Sequence, residues 1–257
     1  MLLRRRLFFI TVAFICSIVV LLFGNKLEFD NEEGYNKLEL EAKNVYHKYE
    51  EWEEEQLKEN PDYDNLWILI NIDSKTLFLI DLNKKEIIKK YIVAVGKPST
   101  PTPIGNFIII QKAKWGAGFG TRWMRLNVPW GKYGIHGTNK PNSIGYDTSH
   151  GCVRMKNKDI EELYSTVKYK TPVTLIKGAF GPFGHGFRVI KPGDRGADVR
   201  EVQKRLKRKG YYYGYLDGVY GDYMKKALLK FQKDNDMPTT DKIWYNTYKE
   251  LGIFLME

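Results

Sequence analysis

The segment from Tyr133 to Met155, YGIHGTNKPNSIGYDTSHGCVRM, concentrates the residue types that make a nucleophile: Cys152 and two of the chain's four histidines, His136 and His150. The thiolate is the reactive form of cysteine, and near neutral pH it needs an adjacent base or a positive field. Ser149, His150 and Gly151 place a donor-rich turn just before the sulfur, where backbone N–H groups can face an oxyanion beside the attacking atom. His136 lies 16 residues earlier. If it is the base, the polar loop from Thr138 to Thr148, with Pro141 and Gly145, must return it to the cysteine. Arg154 follows the sulfur closely, placed either to receive a substrate carboxylate or to brace the loop.

Three plainer readings compete. A lone cysteine is most often a small buried hydrophobe, but one flanked by Ser, His and Gly is poorly suited to that. Zinc would take His136, His150 and Cys152, yet no fourth ligand follows at finger-like spacing. A structural disulfide lacks a partner, because the other cysteine, Cys16, lies in an N-terminal apolar run. The nucleophile reading is the one that uses all the neighbours.

Upstream stands Thr100-Pro101-Thr102-Pro103-Ile104-Gly105-Asn106-Phe107, and after Cys152 the chain continues Val153-Arg154-Met155. Together with the His136 to Ser149-His150-Gly151-Cys152 interval, these motifs resemble the L,D-transpeptidase catalytic domain of peptidoglycan synthesis over roughly residues 66–177. The resemblance implies a mainly β, sandwich-like catalytic domain at 63–178, with no metal and no cofactor. It implies Cys152 as nucleophile and His136 as base, with Ser149, His150, Gly151 and Arg154 supporting the oxyanion or the loop. A backbone carbonyl is expected to orient His136, since the motif supplies no Asp or Asn. The implied reaction is attack on the carbonyl of the third stem residue, release of the terminal D-alanine, and transfer of the thioester to a side-chain amine as a 3→3 cross-link. Water in place of that amine would give an L,D-carboxypeptidase. From a different class, a non-catalytic wall-binding protein is the remaining alternative.

The elements around the motif fit this frame. From Leu66 the pattern turns to period two: residues 66–72, 76–82 and 86–95 read as strands joined by turns at Asp73-Ser74-Lys75 and Asn83-Lys84-Lys85. Further strands are expected at 106–111 and 173–176 and around 124–128 and 133–135, with one helix at 158–167 capped by Asn157. Between Lys112 and Lys132 lie four glycines and Trp115, Trp123 and Trp130, read either as a lid over the substrate or as an ordinary hairpin.

Residues 179–188 form a Gly-rich linker, in which His185 needs no role. Beyond it, Val202-Gln203, Gly210-Tyr211-Tyr212, Asp217-Gly218-Val219-Tyr220-Gly221 and Phe231-Gln232 resemble the small three-helix peptidoglycan-binding domain, at 189–254. Thr239-Thr240-Asp241-Lys242 stands where that family usually has a second Asp-Gly turn.

The N-terminal part supplies location. The chain has 257 residues and a formal net charge of +10, unevenly spread. Arg4, Arg5 and Arg6 precede an uncharged apolar run, Leu7 to Phe23, with no small-residue cleavage site after it. Residues 1–25 therefore read as a retained transmembrane helix that sends the rest outside the cytoplasm, with a cleaved signal peptide as the alternative. Residues 26–62 are acidic, and Tyr35, Leu38, Ala42, Val45, Tyr49 and Trp52 make a helical stripe. Either a stalk that dimerises the protein or a simple spacer fits. The basic remainder would ordinarily suggest nucleic acid. In an exported chain it points to anionic wall polymers or lipid headgroups, so the expected partners are peptidoglycan stem peptides and glycan, with no nucleic acid.

Overall fold

The computed structural model describes residues 65–255. The expected membrane anchor and acidic stalk fall on residues outside that range. Among the described residues no helix is long and apolar enough to cross a membrane.

Strands β1 (Leu66–Asn71), β2 (Thr76–Asp81) and β3 (Glu86–Ile92) form an antiparallel meander. Its turns are set by side chains that imitate backbone: Asn71 Oδ1 accepts from the Ser74 amide, and Asp81 Oδ1 from the Asn83 and Lys84 amides. β10 (Pro172–Ile176) runs parallel beside β1 and antiparallel to β5 (Gly105–Lys114). β5 continues to β6 (Arg122–Leu126), then β7 (Tyr133–Thr138), and β9 (Val153–Lys156) lies parallel to β7. A short pair, β4 (Val95–Gly96) with β8 (Asp147–Ser149), stands apart from this order.

The expected sandwich of two sheets is realised as one continuous eight-stranded ladder, β3-β2-β1-β10-β5-β6-β7-β9. The reason lies in β5. Its first residues pair with β10, a register shift falls between Ile109 and Gln111, and the rest pairs with β6. Such irregularities bend a strand and let it serve two halves of a β structure. Both halves feed one core, from Ile68, Ile70, Leu77 and Leu79 to Met124, Ile135, Val153 and Met155. Each such side chain contributes roughly 1.5–3 kcal/mol by leaving water.

Helix α1 (Asn157–Thr166) lays Ile160 and Leu163 on that core. Asn157 is its first helical residue rather than its N-cap, which is Lys156 with no side-chain cap bond. The Asn157 carboxamide oxygen instead accepts from the Thr121 amide at 3.3 Å, fastening the start of β6 to the helix. At the other end the Lys112 ammonium, 2.7 Å from the Tyr164 carbonyl and also bonded to that of Val167, satisfies carbonyls the helix leaves open.

The C-terminal part packs α2 (Ala197–Arg208), α3 (Asp222–Asp234) and α4 (Tyr245–Glu250) around Val199, Val202, Leu206, Leu228, Phe231 and Tyr248. Fully buried Gln203 holds the Asp217-Gly218 turn: its Nε2 donates to Asp217 Oδ1 at 2.8 Å and its Oε1 accepts from the Gly218 amide at 2.8 Å. Buried Gln232 does the same where the second Asp-Gly turn is missing, accepting from the Thr240 amide at 2.8 Å. The departure in sequence thus keeps the local fold.

The glycine-rich segment 179–188 is no loose tether. Phe187 stacks on Tyr248 with ring centroids 4.2 Å apart, and Phe183 meets the same ring edge-on at 5.7 Å. His185, for which no role was expected, sits 3.0 Å from Asp73 Oδ1, while the Gly178 amide donates to Asp73 Oδ2 at 2.8 Å. A second seam runs through Trp130, buried in the catalytic core edge-on to Phe107. Ala197 and Val219 of the helical part pack against that core, and a Cβ on Gly218 would come within 2.6 Å of the Trp130 ring.

Candidate active site

The sheet brings the site together by register. On β6 and β7, Trp123 pairs with His136 and Arg125 with Gly134; on β7 and β9, His136 pairs with Arg154 and Ile135 with Val153. One residue back along each parallel strand sets Cys152 beside Gly134. Alternation puts Met124, Leu126, Ile135, Val153 and Met155 on the core face. The opposite face therefore carries two rows across three strands: Trp123, His136, Arg154, and Arg125, Gly134, Cys152.

Gly134 makes the second row possible. A Cβ there would lie 2.5 Å from the Met124 carbonyl oxygen and 2.8 Å from the Trp123 ring. Bare of a side chain, its backbone N–H donates to the Cys152 sulfur. His136 is buried, its Nδ1 2.6 Å from the Gly137 carbonyl oxygen, so a backbone carbonyl orients the ring. Aromatic rings cover it: Phe119 edge-on at 5.0 Å and Trp123 tilted at 5.7 Å, with Trp115 stacked on Trp123 at 5.4 Å. The 112–132 segment forms the turn and second strand of the β5–β6 hairpin, and its Phe119 and Trp123 lie against His136.

The loop before the sulfur is pinned from below. Ser149 is fully buried, and its hydroxyl oxygen accepts from the Gly151 amide at 3.0 Å. Its carbonyl receives the Lys97 amide at 3.0 Å and the Thr100 hydroxyl at 3.1 Å. The Thr-Pro segment thus works as a bracket for the cysteine loop. Gly151 has φ 108°, and a Cβ would lie 2.6 Å from the Tyr133 ring, so no other residue fits without displacement.

Two expected roles change. The Gly151 amide, expected to face an oxyanion, is engaged by Ser149, and the amide that meets the sulfur is that of Gly134. His150 is exposed and makes no hydrogen bond among the described residues, so the structure does not join it to Cys152 and His136. Arg154 braces through its backbone, exchanging two bonds with Ala94 at 2.9 and 2.8 Å.

Electrostatics favours a neutral pair at rest. Burial pushes the half-buried Cys152 thiol up, opposed by the Gly134 amide and the Arg154 charge. Burial lowers His136 as well; the Gly137 carbonyl opposes this, Arg154 lowers it further, and the Phe119 carbonyl opposes again. A thiol beside an unprotonated imidazole suits proton transfer during attack rather than a standing ion pair.

Sequence reasoning missed Gly134, Phe119 and Tyr133. Tyr133 lies against Gly151, its phenol raised by burial and by Cys152. Among the described residues no three His, Cys, Asp or Glu side chains form a metal site.

Comparisons with known proteins bear on the same residues. The "L,D-transpeptidase catalytic domain" pattern matches residues 65–175, and the "Putative peptidoglycan binding domain" pattern matches 195–247. "Putative L,D-transpeptidase YkuD" of Bacillus subtilis is 48% identical over 109 residues, covering 42% of this chain and 64% of that protein. "Putative L,D-transpeptidase YqjB" of the same organism is 33% identical over 135 residues, covering 46% and 76%. This chain therefore spans just under two thirds of the first relative's length and about three quarters of the second's. Among solved structures, the NMR structure of the catalytic domain from an E. faecium L,D-transpeptidase is 25% identical over 45% of this chain and 99% of that one, with a TM-score of 0.38.

Proposed function

Because this chain belongs to the L,D-transpeptidase family, we propose that it remodels peptidoglycan by a cysteine acyl-enzyme mechanism, forming 3→3 cross-links between stem peptides. The observation that carries the reading is the parallel register of β7 and β9, which sets Cys152 beside Gly134, two residues from His136, with the imidazole held by the Gly137 carbonyl. That bond keeps a proton on Nδ1 and leaves Nε2 as the basic nitrogen. Nε2 takes the thiol proton as sulfur attacks the carbonyl carbon of the third stem residue. The C–N bond to the terminal residue then breaks, and the imidazolium returns the proton to the departing amine. The thioester that remains is attacked by a side-chain amine of a second stem, which re-forms the thiol and the peptide bond. In this reading Arg154 tunes both members of the pair, and Trp115, Phe119 and Trp123 shield the intermediate from water.

The helical part, matched to a peptidoglycan-binding family, is proposed to keep the enzyme on its polymeric substrate. In the same reading the apolar run at Leu7–Phe23 anchors the chain, with both folded parts outside the cytoplasm, and the stalk either dimerises it or only spaces it. Mass spectrometry of disaccharide-tetrapeptides incubated with the protein tests the activity. Cross-linked dimers are expected; tripeptide monomers alone would make it an L,D-carboxypeptidase, and no product would leave a wall-binding protein.

A further inference from the structure

The catalytic face carries a cation that the proposed chemistry does not yet use. Arg125 pairs with Gly134 on one side and with exposed Gln111 on the other, in the same row as Cys152. Its Nε is buried with no hydrogen-bond partner, and among the described residues its guanidinium has no ion-pair partner. Leaving a buried donor on a charged group unmade is costly, so native structures rarely do so without a reason. Two other cations near this sheet are paired: Arg122 reaches Glu161 and the Thr121 carbonyl, and Lys89 reaches Glu162. Arg125 stands apart from both.

Its surroundings fit an anion supplied from outside. Neighbouring strands lie about 4.8 Å apart, so β6 and the cysteine are separated by roughly 10 Å, with only Gly134 between them. Gly134 itself puts no side chain between them; the edge of the Trp123 ring lies over it. In the attack described above, the group that departs is an amino acid whose free carboxylate lies two bonds beyond the scissile nitrogen. A planar guanidinium with a fork of donors is the side chain that matches a carboxylate. Arg154 does not fill this place, because it lies in the His136 row and its charge acts on the catalytic pair itself.

We propose that Arg125 is a specificity-determining residue that receives the terminal carboxylate of the stem peptide, placing the scissile carbonyl over Cys152. The inference rests on the transpeptidase reading and adds to it which end group the donor site recognises. The test compares two donor peptides, one with a free terminal carboxylate and one with that carboxylate as an amide, by kcat/KM for acylation of the whole protein. The unchanged protein is expected to prefer the free acid by about tenfold or more, the scale of one charge-assisted hydrogen bond. Arg125→Gln should bring that ratio close to one, chiefly through KM, and Arg125→Lys should restore part of it. Arg125→Met, which keeps the aliphatic stem, serves the same purpose if the Gln variant melts early. A preference unchanged in the folded Gln or Met variant overturns the inference alone. Absence of acylation by either peptide in the unchanged protein overturns the transpeptidase reading and the inference with it.

Discussion

The backbone N–H of Gly134 points at the sulfur of Cys152, and the ring of Trp123 closes over the same glycine. Cys152 therefore rests against bare backbone on one strand while His136, the proposed base, stands two residues further along that strand. Gly134→Ala should be badly tolerated, because its Cβ would meet the Met124 carbonyl at 2.5 Å and the Trp123 ring at 2.8 Å. Overpacking of this kind costs roughly 1–3 kcal/mol or more. Thermal melting should show the loss, and acylation of whatever folds should fall further than stability explains. A variant that melts and acylates like the parent would show that Gly134 does not shape the site.

Cys152 is the only cysteine among the described residues. Cys152→Ala should abolish both turnover and any covalent adduct with a β-lactam, read by intact mass in a form lacking residues 1–25, where no other thiol remains. An adduct on the alanine variant would remove Cys152 from the mechanism.

The pH dependence follows from His136. Its pKa is lowered from 6.5, first by burial, so it stays unprotonated below the ordinary imidazole range. Acylation should hold as pH falls past that range, then drop as pH passes through the lowered value and the base is lost. Arg154→Gln removes one influence that lowers His136, so the acid limb should move to higher pH. The same change removes a charge that favours the thiolate, so alkylation of Cys152 by iodoacetamide should slow at a given pH. His136→Ala should slow acylation on the order of a hundredfold at neutral pH. An acid limb unmoved in Arg154→Gln would show that its charge does not reach the pair.

The motif residues were legible because their chemistry is local: Cys152, His136 and Ser149 announce themselves by type and spacing. The rows across β6, β7 and β9 were not, since they depend on register between segments far apart in the chain. Strands β8 and β9 escaped notice because Asp147-Thr148-Ser149 is short and polar, although Val153 and Met155 alternate inward as a strand should. Asn157 looked like an N-cap by type, but a tertiary bond to Thr121 claimed its side chain. The sandwich expectation captured most of the strands of the ladder and missed that β5 joins both halves in one. The glycines of 179–188 read as a break, while Phe183 and Phe187 in the same stretch were the sign of packing.

That packing changes what truncation should do. Two independent modules would predict that ending the chain after Lys177 leaves the catalytic domain intact. Trp130, however, is buried between Phe107 and the Gly218 turn of the helical part, with Ala197 and Val219 beside it. Cutting there would expose this seam and release Asp73 from Gly178 and His185. Trp130→Ala removes a buried aromatic worth roughly 3–5 kcal/mol. Calorimetry of the parent should therefore give one cooperative transition for both folded parts, and Trp130→Ala should lower it or split it in two. Gly218→Ala, strained at φ 67° and crowding Trp130 at 2.6 Å, should act in the same direction. Two transitions in the parent, with the catalytic one unmoved by truncation, would mean that the seam holds nothing together.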